Sequence, residues 1–363
     1  MFNELPDLLY ISDIINSVRQ TSDQPPLLRL TAATSTATAS LHRGYFRRKK
    51  SDHVLYSYSI PYIMLISFLI FIIILFLYVH VTDHFKKSED LEIYEMDYVS
   101  NPKLQEVCSI KQPVLFDFFS VYDKNISLQK NLEESKIDVK VKDTQDYPEP
   151  IILPFRSFVG LSKTDPTGHY FIEDNQDFLE ETDFLSDIQD MDAYLKPPFT
   201  VNTKYDYLLG SAGCTTPLKY HTDFRKFVLV TRGRIQVKLC SWKNHRYLSP
   251  IKDYETYEFR SKTNLWKSPV DERIRVLDID VPVGFILYIP PYWWYSIRFS
   301  SAADDTQLIS LQYQTGITML SNLPELFRYY LQFNNIKHKV ARTLEAHAAA
   351  ADAAAAVEET PTL

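Results

Sequence analysis

The feature that most constrains this chain is an uninterrupted apolar segment, IPYIMLISFLIFIIILFLYVHV, which runs from Ile60 to Val81. It contains no Asp, Glu, Lys or Arg, and its one histidine, His80, stands near the end. As a helix rising about 1.5 Å per residue, it would cover a hydrocarbon core of about 30 Å. A buried core helix rarely runs this long without a polar face, and a cleaved signal peptide has a shorter apolar region nearer the start. The segment therefore predicts one transmembrane helix over 60–81.

The charges on either side of this segment indicate its orientation. Five basic residues precede it, namely Arg43, Arg47, Arg48, Lys49 and Lys50. Only Lys86 and Lys87 follow closely, and they stand among acidic residues. Because positive charge favours the cytoplasmic side, we expect a single-pass protein with a cytosolic N-terminus and a luminal or extracytoplasmic C-terminal domain. The glycosylation sequon at Asn125–Ser127 would then lie in a compartment that permits glycosylation.

Composition divides the rest of the chain into four parts. Residues 1–55 include the low-complexity stretch LTAATSTATAS and are predicted to form a largely disordered cytosolic arm. Residues 82–106 are expected to be a linker, and residues 107–335 to be the globular domain. Residues 336–363 form an Ala-rich tail whose side chains are too small to anchor it to a core.

Strand patterns dominate the globular part. QPVLFDFFSV (112–121) is a continuous apolar run of strand length, and FILYIP (285–290) and TQLISLQYQT (306–315) are further strand segments. Several short strands with few helices between them indicate a mainly β fold of the sandwich or jelly-roll type.

The segment KFVLVTRGRIQVKLCSW (226–242) predicts a β-hairpin whose two arms are joined by TRGR. In the second arm Ile235, Val237 and Leu239 alternate with polar residues, as in a half-buried antiparallel strand.

A helical pattern follows these strands at the end of the domain. LPELFRYYLQFNNIKHKVAR places Leu326, Tyr329, Tyr330 and Phe333 on one side of a helix. This aromatic stripe could bind a protein partner or pair two copies of the chain as a homodimer.

Bulk composition excludes several classes of function. The net charge of −7 argues against a nucleic-acid partner, which would require a basic face. The three cysteines, Cys108, Cys214 and Cys240, are widely spaced, so a structural zinc site is not expected. The chain has only 8 glycines and contains no Gly-rich phosphate-binding loop.

Two segments together resemble the JmjC/cupin-like superfamily. GSAGCTTPLKYHTDFRKFVLVTRGRIQVKLC is similar to the family's segment with a Thr-x-Pro lead-in, a His-x-Asp pair and a strand–Gly–strand unit. VPVGFILYIPPYWWYSIRF is similar to its later segment, most closely in the asparaginyl-hydroxylase branch. The WWYS ending also resembles membrane-anchored cupin-like proteins of large DNA viruses and protists. The resemblance covers roughly 110–335 and implies a double-stranded β-helix, or jelly roll, with flanking helices after the transmembrane helix.

The resemblance also implies a site for Fe(II) and 2-oxoglutarate, since enzymes of the family hold iron with two histidines and a carboxylate. His221 and Asp223 have the His-x-Asp spacing, although the pair stands one or two residues out of the family's register. The third ligand position falls on Tyr295, whose phenol is not ionised at neutral pH without help. The lysine expected two residues beyond the glycine is replaced by Ile235.

Three interpretations follow. In the first, the domain is degenerate and non-catalytic, needs no cofactor and has a binding or structural role. In the second, it is a divergent Fe(II)/2-oxoglutarate-dependent oxygenase, similar to the protein hydroxylases. His221 and Asp223 would then bind the metal, and Tyr295 or a water molecule would be the third ligand. Thr215 would contact the co-substrate. In the third, it is a jelly roll that binds a carbohydrate or small ligand in an aromatic pocket. The candidate lining residues are Trp242, Trp266, Tyr292, Trp293 and Trp294. Thr215, Trp293 and Tyr295 are thus the candidate ligand-binding residues.

Overall fold

The computed structural model describes residues 53–122, 134–145, 149–267, 271–300, 306–335 and 342–343. The chain divides into two compact units, residues 1–64 and 65–363. In the first unit the described residues, 53–64, are helical. The predicted arm up to residue 52, the sequon at Asn125–Ser127 and most of the Ala-rich tail lie outside the described residues.

The second unit combines helices with two large, mainly antiparallel sheets. The described helices are α1 His53–Phe85, which begins in the first unit, α2 Asn101–Cys108, α3 Phe155–Thr164, α4 Gln176–Glu180, α5 Phe184–Gln189, α6 Asp192–Leu195, α7 Gly316–Ser321 and α8 Leu323–Asn335, with a 3-10 helix at Trp242–Tyr247. The strands are β1 Tyr94–Glu95, β2 Val114–Asp117, β3 Asp138–Asp143, β4 Pro150–Pro154, β5 Tyr170–Ile172, β6 Thr200–Gly210, β7 Lys219–Tyr220, β8 Arg225–Arg232, β9 Arg234–Cys240, β10 Pro250–Asp253, β11 Glu258–Ser261, β12 Leu277–Pro282, β13 Phe285–Ile289, β14 Trp294–Phe299, β15 Gln307–Thr315 and β16 Arg342–Thr343.

Helix α1 confirms the predicted long apolar helix and extends beyond 60–81 at both ends. Its segment Tyr62–Phe85 is long and apolar enough to cross a membrane. Apart from the half-buried Leu77, the large apolar side chains from Tyr62 to Val79 are exposed instead of packed in a core. Residues 82–106, expected to be a linker, contain the end of α1, strand β1 and most of α2.

The first sheet has ten strands in the order β1-β2-β13-β8-β15-β6-β5-β3-β4-β16. All its pairings are antiparallel except β1 with β2 and β4 with β16. The second sheet has six antiparallel strands in the order β10-β11-β7-β14-β9-β12. Within the described part of the chain, neither sheet closes on itself. The prediction of a β-rich antiparallel fold after one apolar helix is confirmed, but the fold is mixed helix and sheet, since helices are also inserted between the strands.

The predicted hairpin at 226–242 is wrong. Its arms form strands β8 and β9, but β8 pairs with β13 and β15 in the first sheet, whereas β9 pairs with β12 and β14 in the second. Gly233, with φ of 72°, makes the turn from one sheet to the other. The predicted alternation in the second arm is correct, because Ile235, Val237 and Leu239 are buried between more exposed polar residues.

The core lies in layers on either side of the first sheet. On β8, Val228 and Val230 face a cluster that includes Ile235 and Ile297 of the second sheet. The alternate residues of β8 belong to a second cluster that also contains Phe158 of α3 and other helical side chains. Since both faces of β8 are covered, the strand is apolar along most of its length, as expected of a buried strand.

Candidate functional site

The structure brings His221, Asp223 and Tyr295 together. Lys219 in β7 stands opposite Tyr295 in β14, and the chain leaves β7 directly into His221. The ring centroids of His221 and Tyr295 are 6.3 Å apart, and Nδ1 of His221 lies 3.6 Å from Oδ2 of Asp223. All three side chains are buried.

The hydrogen bond of His221 fixes the position of its proton. Nε2 lies 3.0 Å from the carbonyl oxygen of Ile289, which can only accept, so Nε2 carries the hydrogen. Burial and, to a smaller extent, the charge of Lys226 together lower the pKa of His221 to about 3. The imidazole is therefore neutral at physiological pH, with an unprotonated Nδ1 near Asp223.

Asp223 is held by two glutamines of β15. Nε2 of Gln314 donates to Oδ1 over 2.6 Å. With its amide oriented to satisfy both neighbours, Gln312 donates to Oδ2 over 3.0 Å and accepts from Nζ of Lys226 over 3.2 Å. Burial raises the pKa of Asp223, against the lowering effects of Gln314 and Lys226. Both carboxylate oxygens thus have protein donors.

A buried ion-pair network adjoins this group. Nζ of Lys219 contacts both carboxylate oxygens of Glu173, and Nζ of Lys142 lies 3.3 Å from Glu173 and 2.7 Å from Asp174. Burial alone would raise the pKa of Glu173, but Lys219 and Lys142 outweigh it and hold the pKa at about 2. Glu173 and Lys219 are therefore both charged.

Tyr295 faces two ammonium groups. Nζ of Lys226 lies 5.1 Å from the centroid of its ring, and Nζ of Lys219 lies 6.0 Å from it. These distances are within the range of cation–π attraction, so the two lysines hold the tyrosine ring by its π-system.

These residues do not fit an Fe(II) site of the implied type. Such a site needs two histidines and a carboxylate on one face, with open positions for the co-substrate. Here Nε2 of His221 donates to Ile289, both oxygens of Asp223 accept from amides, and the third position holds a tyrosine beside two cations. Among the described residues, no group of three or more His, Cys, Asp or Glu could hold a metal ion.

Thr215 belongs to a different place, a surface cleft of about 700 Å³. A β-bridge joins Thr215 to Arg298, and Trp266 lines the same cleft. The cleft also has Arg260 and Lys262 in its wall, and among the residues that the structure describes no carboxylate lines it. His221, Asp223 and Tyr295 do not line it, so the structure separates Thr215 from the implied metal position.

The five candidate aromatic residues do not form one pocket. Trp293 and Trp294 are fully buried in two different core clusters. Trp242 and Tyr292 both pack against Lys87, whose Nζ lies 3.6 Å and 4.7 Å from their ring centroids. Trp266 is the one that lines the cleft, where its Nε1 donates to Oγ of Ser296 over 2.8 Å.

Sequence reasoning missed Glu173, Lys219 and Lys226. Lys219 stands at two-residue spacing before His221 and Asp223, so strand alternation could have suggested that it shares their face. No such signal exists for Glu173, which lies 46 residues before Lys219 and beside an acidic run that suggests a solvated surface.

Comparisons with known proteins assign no family to this site. A scan against models of protein families gives no match, and a search of curated proteins also gives none. The resemblance to the JmjC/cupin-like superfamily therefore rests on the two segments of sequence quoted above.

Proposed function

We propose that this protein is a single-pass membrane protein whose C-terminal domain is a degenerate, non-catalytic member of the cupin/JmjC-like superfamily and acts by binding. The observation that carries the proposal is the state of His221 and Asp223. Nε2 of His221 is engaged by Ile289 and both carboxylate oxygens of Asp223 by Gln312 and Gln314, as in a structural network and not in an open metal site.

The strand order supports a double-stranded β-helix. From β7 to β15 the chain alternates between the sheets, with β9 to β12 as one run in the second: β7, β9, β10, β11, β12 and β14 belong to the second sheet, whereas β8, β13 and β15 belong to the first. Such alternation winds the chain around a common interior, which is the principle of a jelly roll. The flanking charges of α1 support a cytosolic N-terminus and a domain on the far side of the membrane.

One observation favours the oxygenase alternative. Nδ1 of His221 is buried and has no hydrogen-bond partner within the part of the chain that the structure describes, and it lies 3.6 Å from Oδ2 of Asp223. A metal ion between these atoms would have two protein ligands, one fewer than the facial triad requires.

Metal analysis and turnover together distinguish these two functions. The full-length protein, purified in detergent and incubated with Fe(II), ascorbate and 2-oxoglutarate, is compared with the His221→Ala and His169→Ala variants. We expect only trace iron and no succinate above the buffer control in all three. Stoichiometric iron and succinate formation that His221→Ala abolishes and His169→Ala retains would overturn the non-catalytic function.

The cleft supports a second candidate function, the binding of a small ligand or carbohydrate. The described lining residues include an indole, threonines and cationic side chains but no carboxylate, which suits an anionic, hydroxyl-rich ligand. We expect an array of acidic and neutral glycans to show binding of acidic members that Trp266→Ala and Arg298→Ala weaken. Val283→Ala, at an exposed residue outside the cleft, is the matched control. Equal signals from all the proteins would exclude the cleft as the glycan-binding site.

A further inference from the structure

Helices α7 and α8 present an exposed apolar surface. Its members, here called the apolar face, are Met319, Leu320, Leu323, Phe327, Tyr330 and Leu331, with exposures between 38% and 64%. Residues 323, 327, 330 and 331 follow helical spacing, so they form one continuous stripe along α8. The face contains no charged residue.

The other side of α8 is fixed to the domain. Oε1 of Glu325 pairs with Nζ of Lys252 over 2.9 Å, and Nη1 of Arg328 donates to the hydroxyl of Tyr254 over 3.1 Å. The ring of Tyr329 packs against that of Tyr257, with centroids 5.6 Å apart. These contacts set the rotation of α8 about its axis and turn the apolar face outward.

The start of α8 lies beside the end of α1. The hydroxyl of Tyr292 is 3.4 Å from Nε2 of His84 in α1 and 3.5 Å from Oδ1 of Asn322, which immediately precedes α8. The ring of Phe85 also contacts that of Tyr292, with centroids 6.2 Å apart. Because both atoms contact the same hydroxyl, Nε2 of His84 and Oδ1 of Asn322 are at most about 7 Å apart, so the side chain that precedes α8 lies beside the end of α1.

A buried lysine holds this junction. Nζ of Lys111 lies 3.1 Å from the carbonyl oxygens of His84 and Lys86 and also contacts that of Asp83. A cation at a helix C-terminus satisfies carbonyl groups that have no partner within the helix and complements the helix dipole. The end of α1 is thus joined to the domain by several side chains.

We propose that the apolar face lies in the interfacial layer of the same membrane that α1 crosses, so that the domain contacts the bilayer at two places. This inference rests on the proposed membrane anchorage. The headgroup and interfacial regions occupy about 5–7 Å on each side of the hydrocarbon core, so α8 begins at the depth where an amphipathic helix binds. Phe, Tyr and Leu are the side chains that such helices insert, and tyrosine is enriched at this boundary.

The test uses single cysteines labelled with the environment-sensitive fluorophore NBD on the full-length protein in phosphatidylcholine nanodiscs. The labelled variants are Phe327→Cys and Leu331→Cys on the apolar face, Tyr78→Cys in α1, and Val283→Cys as the control. Val283 is 49% exposed and precedes β13, whereas Tyr292, which contacts α1, follows β13, so the two residues lie at opposite ends of this strand. The control label is therefore about 20 Å from the junction with α1. The three native cysteines are buried, so they should not take the label.

Lipids that carry a doxyl quencher then report which labels touch the bilayer. We expect quenching at Tyr78, Phe327 and Leu331 and none at Val283. If Tyr78 is quenched but Phe327 and Leu331 behave like Val283, the second contact is wrong while the membrane anchor stands. If Tyr78 is also not quenched, the proposed anchor itself fails. Blue-shifted emission at Phe327 that lipid does not quench and that dilution reverses would show that a second copy covers the face instead.

Discussion

At the scale of the single residue, burial of His221 links the stability of the fold to pH. The neutral ring donates to Ile289 and cannot take a second proton without placing a charge in the interior. Burial and Lys226 lower its pKa from 6.5 to about 3. Between these values the unfolded chain binds a proton that the native state does not. The stability due to neutral His221 is therefore complete above pH 6.5 and decreases as the pH falls towards 3.

We predict that His221→Gln flattens this dependence, because glutamine keeps an N–H for Ile289 and does not titrate. One proton per molecule corresponds to a slope of at most about 1.4 kcal/mol per pH unit. Urea unfolding of the full chain in detergent, followed by tryptophan fluorescence at several pH values between about 6 and 4, measures the free energy of unfolding.

The comparison between variant and wild type isolates this effect. Burial and the neighbouring Asp174 together raise the pKa of Asp206 to about 6, so protonation of Asp206 favours the native state as the pH falls. Both proteins contain that opposing contribution. His169→Gln, at a half-buried residue of the cleft wall, should keep the wild-type slope. Equal slopes for His221→Gln and the wild type would contradict the prediction.

The sequence named His221, Asp223 and Tyr295, and the structure brings them together, but their partners could not be predicted. Glu173 directly follows β5 and Lys219 lies in β7, and these two strands belong to different sheets. A carboxylate in an acidic run has the same local sequence whether it is solvated or paired. Only the packing of one sheet on the other excludes water from Glu173 and makes the pair necessary.

At the scale of the element, Gly233 is the turn on which the path of the chain depends. Its φ of 72° favours glycine, and a Cβ there would lie 2.8 Å from Oγ1 of Thr306. We predict that Gly233→Ala lowers the free energy of unfolding by about 1–3 kcal/mol, from backbone strain and this contact. The measurement is urea unfolding at neutral pH.

Gly160 provides the matched control. It lies within α3, and a Cβ added there would meet nothing within 4 Å. Gly160→Ala should leave stability unchanged or raise it by about 0.5–1 kcal/mol, because alanine favours the helix. A Gly233→Ala variant as stable as the wild type would mean that this turn tolerates a side chain.

The error at 226–242 shows what periodicity can predict about an element. Alternation correctly identified β9 as a strand with one buried face, and the glycine correctly marked a turn. A turn between two strands has the same sequence signal whether the strands pair with each other or diverge into two sheets. The choice depends on which more distant strands are available, here β13 and β15 for β8.

At the scale of the whole molecule, the charges that closely flank α1 predict on which side of a membrane the domain would lie. With five basic residues closely before α1 and two closely after it, we predict that the domain is translocated. Synthesis in the presence of microsomes should then yield a glycosylated form that Asn125→Gln abolishes. The domain should also resist added protease until detergent is present.

The two readouts check each other. Glycosylation requires the luminal enzyme, and protease protection requires only a closed membrane. A domain that is digested without detergent and carries no glycan would show the opposite orientation. Gln105→Asn, which creates no sequon, is a suitable control for the effect of an amide substitution on electrophoretic mobility.

Hydrophobicity and local periodicity were sufficient to predict the long apolar helix, the β-rich domain after it and the strands with one buried face. The tertiary structure decided which strands pair, placed Thr215 in a cleft apart from His221, and surrounded the His-x-Asp pair with amides, a carbonyl and lysines. These features depend on contacts between residues far apart in the chain. The packing of the sheets determines whether a buried histidine has a carbonyl group or an open space beside it. The local sequence pattern does not contain this information.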